Sequence, residues 1–199
     1  MLAAVGYASV QAQVRARRSR LLDDDAWHRL FDARGLERAR EVLAGTEYPE
    51  VASDVGRAER TLRRRVHRET VSLAEHVPTK AAETLRWYAS RYDVQDIKLL
   101  VRALHYGRPL DQAREGMTVH AVEGREPAAW TQARSLRALL QELEGTPYGR
   151  ALANAWERYQ AENRPFYLEV ALDLAFGRGL VKRIEALGGG DARDAEWLL

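Results

Sequence analysis

The chain has 199 residues, 46% hydrophobic and 30% charged, enough apolar side chain to build one sizeable domain or two small ones and too much for a disordered segment. It has no cysteine, which excludes disulfides, thiol catalysis and cysteine-ligated metal sites. The formal net charge is only +2 although the pI is near 9.0, so any basic partner surface must come from local clustering of arginine. No stretch reaches the ~18 uninterrupted apolar residues of a membrane span, and the first residues lack the basic-then-apolar layout of a signal peptide.

Helical period and helical punctuation recur along nearly the whole chain. From about Leu2 to Leu22, Val10, Val14 and Leu21 share one stripe. Asp23-Asp24-Asp25 opens a second helix carrying Trp27, Leu30 and Phe31, with its acids where the macrodipole favours them. Leu36 to Leu43 forms a short helix closed by Gly45, read as the usual φ > 0 terminator. Thr46 then caps a longer run carrying Tyr48, Val51, Val55, Ala58, Leu62, Val66, Leu73 and Val77, weakened at Gly56. Pro78-Thr79 restarts the chain, and Ala81, Leu85, Tyr88 and Tyr92 follow as an apolar stripe.

Asp93-Val94-Gln95-Asp96 has the form of a capping box and is expected to open a helix with Val94, Ile97, Val101 and Leu104 inward, ended by Gly107 and Pro109. Residues 107–127 have little periodicity, and only Met117 to Val122 alternates like a strand. Leu136, Leu139, Leu140 and Leu143 begin the next helical block, followed by Tyr148, Leu152, Trp156 and Tyr159 after Pro147. Pro165 starts another helix with Phe166, Val170, Leu174, Leu180 and Ile184. Gly188-Gly189-Gly190 stops it, and Asp191 caps a last short turn to Leu199. The fold class is all-α.

One phrase occurs twice. Ala33-Arg34-Gly35-Leu36 leads through Leu43 to Gly45-Thr46-Glu47-Tyr48, and Ala133-Arg134-Ser135-Leu136 leads through Leu143 to Gly145-Thr146-Pro147-Tyr148, with seven of sixteen aligned positions identical. Repetition of this kind marks a supersecondary unit built more than once. The expected organisation is a first helical unit over 1–107, a connecting segment over 108–127, and a second, incomplete unit over 128–199.

Signals for catalysis are weak. His28, His67, His76, His105 and His120 share no HxxxH or HExxH spacing, and no phosphate-cradling GxxxxGK[ST], GxGxxG or GxSxG motif is present. Gly188-Gly189-Gly190 follows a helix rather than a strand, and the aspartate run lacks the twelve-residue loop of a calcium site. No catalytic, cofactor-binding or metal-binding residue is therefore assigned. Two arginine clusters stand out, Arg15–Arg20 and Arg57–Arg68, from which Arg15, Arg18, Arg57, Arg60, Arg64 and Arg68 are the candidate partner-interface residues. Arg57, Arg60, Arg64 and Arg68 share one helix face. That face suits phosphates or an acidic protein surface, or is a solvated face partnered by Glu59 and Glu69.

The stretch Arg91-Tyr92-Asp93-Val94-Gln95-Asp96-Ile97-Lys98-Leu99-Leu100-Val101-Arg102-Ala103 resembles the signature of the C subunits of A/V-type ATP synthases, homologous to the d subunit of eukaryotic V-ATPases (the AC39 family). The residues carrying it are Tyr92, Asp93, Val94, Ile97 and Lys98, with Asp96 where that family usually has Asn. Tyr7-Ala8-Ser9-Val10, Ser19-Arg20-Leu21-Leu22, both Gly-Thr-x-Tyr phrases and Pro165-Phe166 with Leu172-Asp173 agree with it. The resemblance implies a funnel of similar helical units, of which this chain holds one and most of a second. It implies a non-catalytic central-stalk component without cofactors, peripheral on the cytoplasmic face of the membrane. Its partners would be the rotor axle and the membrane rotor ring of a proton- or sodium-translocating complex, with no nucleic acid expected. The alternative is a standalone α-helical adaptor whose basic helix binds acidic protein or nucleic acid.

Overall fold

The computed structural model describes residues 2–48, 55–118 and 129–199, and among them every regular element is helical. The all-α expectation holds. The chain divides into two compact units, Met1–Ala82 and Glu83–Leu199.

The first unit contains α1 (Leu2–Arg18), α2 (Asp24–Phe31), α3 (Leu36–Ala44), α4 (Val55–Ala74) and the start of α5 (Thr79–Ala89). Helix α1 ends at Arg18, four residues short of Leu22, in a turn where the Ser19 hydroxyl donates to the Ala16 carbonyl. The aspartate run opens α2 as expected: the Asp23 carboxylate accepts from the Ala26 N–H at 2.7 Å, satisfying one of the orphan donors of the first turn. The run expected from Thr46 does not begin there. Thr46–Tyr48 is a turn, Val51 lies outside the described residues, and the helix starts at Val55. It ends at Ala74 rather than Val77. Gly56 therefore sits in its first turn, not at an internal bend.

The second unit holds the rest of α5, then α6 (Arg91–Tyr106), α7 (Leu110–Glu115), α8 (Leu136–Glu142), α9 (Pro147–Glu162), α10 (Phe166–Leu187) and α11 (Gly189–Ala195), with 3₁₀ turns at Ala129–Gln132 and Glu196–Leu198. Its core joins Val94, Ile97, Leu100 and Val101 of α6 to Leu139, Leu143, Tyr148, Leu152, Leu168 and Leu172. Each fully buried aliphatic side chain here contributes about 1.5–3 kcal/mol. The capping-box expectation fails. Helix α6 begins at Arg91 after Ser90, so Asp93 and Asp96 lie inside it. Asp96 turns into the core, where its carboxylate accepts from the buried Thr118 N–H at 2.8 Å. Gly107 ends α6 in the left-handed region (φ 62°) as expected.

Residues 107–127 are not wholly aperiodic, since α7 lies among them. Met117 and Thr118 form no strand, and the remainder of the alternating segment, including His120, lies outside the described residues. Gly188 terminates α10, but Gly189 and Gly190 are helical, and Asp191 stands in the first turn of α11 rather than capping it.

The repeated phrase has matching local geometry. The Thr46 hydroxyl donates to the Leu43 carbonyl at 2.8 Å and the Thr146 hydroxyl to the Leu143 carbonyl at 2.6 Å. Each threonine Oγ1 also accepts from a backbone N–H just ahead, Tyr48 at 3.1 Å and Gly149 at 3.0 Å. The glycines differ: Gly145 takes φ 79°, whereas Gly45 sits at φ −90°, a value open to any residue, so the expectation of φ > 0 holds only in the second copy.

Candidate partner interface

The candidate arginines lie on α1 and α4, both in the first unit. Arg15 and Arg18 are exposed in the last turn of α1, where cations complement the helix C-terminus. Arg57, Arg60, Arg64 and Arg68 fall within a narrow arc of α4 at 100° per residue, forming one basic ridge. Arg57 and Arg68 are exposed, and Arg60 and Arg64 half-buried. The two acids expected to partner this ridge both form ion pairs. Glu59 pairs with Arg63 at 2.6 Å, and Glu69 pairs with Arg17 of α1 at 2.9 Å.

Arg17 and Arg65, outside the six candidates, tie the unit together. The Arg17 guanidinium also donates to the Glu69 carbonyl at 2.9 Å and the Ser72 hydroxyl at 3.0 Å, clamping α1 to α4. Arg65 lies 4.4 Å over the Tyr48 ring and donates to the Glu47 carbonyl, fixing the turn of the first repeated phrase against α4. Sequence periodicity alone did not separate these cross-helix anchors from the outward arginines, because all occupy the same charge-rich runs.

The signature residues play a different part. Tyr92, Val94 and Ile97 are buried in the second unit, and Lys98, nearly buried, pairs with Asp173 of α10 at 2.5 Å. One turn on, Arg102 holds Glu169 of α10 in a two-pronged pair, with Nε to Oε1 at 2.8 Å. A further turn on, the His105 ring meets the Tyr159 hydroxyl at 3.0 Å. One face of α6 is thus latched to α9 and α10 by a polar seam that begins at the signature residue Lys98.

Titration behaviour follows the same pattern. Burial pushes the Tyr148 phenol up to about 12, opposed by its hydrogen bond with Ser90, and burial likewise raises Tyr159. The hydrogen bond from Tyr167 holds Glu162 below the usual carboxylate range, and Glu169 raises Arg102. Each of these shifts moves the group's titration away from neutral pH. Among the described residues no group of histidine, aspartate and glutamate side chains is placed to hold a metal ion. No helix among them is long and apolar enough to cross a membrane.

Residues 10–198 match the model of the ATP synthase (C/AC39) subunit family. The A-type ATP synthase C subunit of Methanothermobacter thermautotrophicus is 25% identical over 185 residues, covering 89% of this chain and 46% of the relative. That of Methanocaldococcus jannaschii is 24% identical over 193 residues, covering 92% of this chain and 48% of the relative. The V-type ATP synthase C subunit of Thermus thermophilus is 28% identical over 162 residues, covering 69% and 48% respectively. The chain spans about half the length of the curated relatives it matches.

Proposed function

Because the chain belongs to the ATP synthase (C/AC39) subunit family, we propose that it is a non-catalytic central-stalk component of a rotary A/V-type ATPase or synthase, seating the rotor axle on the membrane ring that moves ions. The observation that carries this reading is the family match over residues 10–198, with the signature helix α6 seated in the core. The task is mechanical: torque passes only through a body that does not yield. The polar seam from Lys98 to His105 and the close-packed aliphatic core suit that task, because interiors at native density resist deformation. The site of action is the cytoplasmic face of the membrane, which the chain reaches as a peripheral component. The two copies of its repeated phrase support a reading as two related helical units, over 1–107 and 128–199, joined by 108–127.

The basic ridge of Arg57, Arg60, Arg64 and Arg68, with Arg15 and Arg18, is the proposed contact face for the axle, positioning a charged partner rather than burying a large apolar patch. The same ridge favours the second reading, an adaptor for acidic protein or nucleic acid. Co-elution of the chain with a purified pair of axle proteins, with duplex DNA as parallel bait, separates the two. Axle binding that weakens in the Arg64→Glu/Arg68→Glu variant, with helicity unchanged, supports the coupling role. Binding to DNA alone, falling with log[salt] at a slope near −0.9 per phosphate neutralised, supports the adaptor.

A further inference from the structure

A groove of about 300 Å³ runs between α1 and α4 within the first unit. Val14 of α1 and Leu21, just after the turn that ends it, line the groove with Leu62 and Val66 of α4, and their exposures of 37%, 61%, 39% and 43% are high for aliphatic side chains. The periodicity of Leu62 and Val66 is that of a core stripe. Here that stripe is left open to solvent. From Leu62 to Leu73, the last lining residue, α4 rises about 16 Å, three helical turns. A trough between two helices with an apolar floor of that length matches the footprint of a third helix, read through anchors at i, i+3 or i+4, and i+7.

Charge selects the occupant. The ionisable side chains lining the groove, apart from the Tyr48 phenol, are Arg17, Arg18, Arg20, Arg65 and Glu69. Arg17 is engaged by Glu69 and Arg65 by Glu47 at 3.8 Å. Arg18 and Arg20 are exposed at the lip and carry no ion pair among the described residues. We propose that this groove docks an amphipathic helix of a partner protein, with aliphatic anchors on the floor and Asp or Glu side chains opposite Arg18 and Arg20. The groove face of α4 lies opposite the Arg57–Arg68 ridge, so this inference stands whether or not that ridge contacts the axle.

The test uses the full chain and a fluorescent stapled peptide of about 12 residues, with Leu at the anchor spacing and Glu on both flanks. Saturable binding is expected, weakened at least about tenfold by Val66→Glu, by Arg18→Glu/Arg20→Glu, and by exchange of the peptide's Glu for Lys. Val66 is already half-exposed, so its variant is expected to fold. Methyl NMR on the unaltered chain gives a readout that needs no variant: Val14, Leu62 and Val66 resonances shift with peptide and those of Leu172 do not. Absence of binding, equal affinity for the Lys peptide, or shifts elsewhere overturns the proposal. So does a concentration-dependent dimer abolished by Val66→Glu, which gives the groove to a second copy. Val66-dependent sedimentation with phosphatidylglycerol vesicles but no peptide binding gives it to lipid and overturns it likewise.

Discussion

Gly177 and Gly179 stand two residues apart within α10, and intrinsic helix propensity gives the same expectation for both: replacement by Ala stabilises by up to about 1 kcal/mol. The structure gives opposite signs. A Cβ on Gly177 meets nothing within 4 Å. A Cβ on Gly179 falls 2.1 Å from Cζ2 and 2.4 Å from Cε2 of Trp87. Several neighbours hold the indole in place. It stacks on Tyr148 and Phe176 with centroids 5.8 and 6.4 Å away, Arg183 lies 3.9 Å from its centroid, and its Nε1–H donates to the Phe176 carbonyl at 2.9 Å. Overpacking costs about 1–3 kcal/mol, and losing the indole hydrogen bond about 1 kcal/mol more. Less the propensity gain, Gly179→Ala is expected to lose about 1–3 kcal/mol, lowering Tm by roughly 2–12 °C, while Gly177→Ala raises it by a few degrees. Thermal melts followed by far-UV circular dichroism measure both, and near-UV spectra report the Trp87 environment. A Gly179→Ala protein as stable as Gly177→Ala would refute the packing argument.

Three further perturbations read other parts of the second unit. Asp96→Ala leaves the buried Thr118 N–H without its acceptor and is expected to cost about 1–3 kcal/mol in urea unfolding, whereas Asp96→Asn keeps an acceptor oxygen and loses much less. Asp173→Ala strands the nearly buried Lys98 ammonium and is expected to destabilise by about 1–3 kcal/mol, with Lys98→Met/Asp173→Ala recovering part of that loss in a double-mutant cycle. Tyr148, with a folded pKa of about 12 against an ordinary 10.0, binds its proton more tightly folded than unfolded. Its contribution is therefore fully present below pH 10 and lost as pH rises from 10 towards 12. Phenolate absorbance should show it ionising late among the eight tyrosines, and Ser90→Ala, which removes an opposing hydrogen bond, should move it higher still.

Helices bounded by local chemistry were legible in the sequence: Asp23 capping α2, Thr146-Pro147 opening α9 and Gly107 closing α6 act through residues three or four positions away. Features set by distant partners were not. The pattern Asp93 to Asp96 fits a capping box, yet Ser90 carries its own N–H to Arg86 and Trp87 carbonyls, so helical backbone runs on and Asp96 enters the core. Nothing local distinguishes Gly177 from Gly179, because the difference is made by Trp87. The candidate arginines were legible as a ridge on α4, while the clamping roles of Arg17 and Arg65 depend on Glu69, Ser72 and Tyr48 brought in by folding. Leu62 and Val66 read as core by period alone and prove half-exposed, since α1 leaves them open along the groove.

The central claim is that this chain bridges an axle and a ring, and bridging is measurable directly. A purified pair of axle proteins and detergent-solubilised rotor ring are mixed with and without the 199-residue chain and resolved by size and composition. The account predicts a ternary assembly that contains the chain and does not form in its absence, weakened by Arg64→Glu/Arg68→Glu. An axle and ring that stay apart in the presence of the chain, or that join equally well without it, contradict the account.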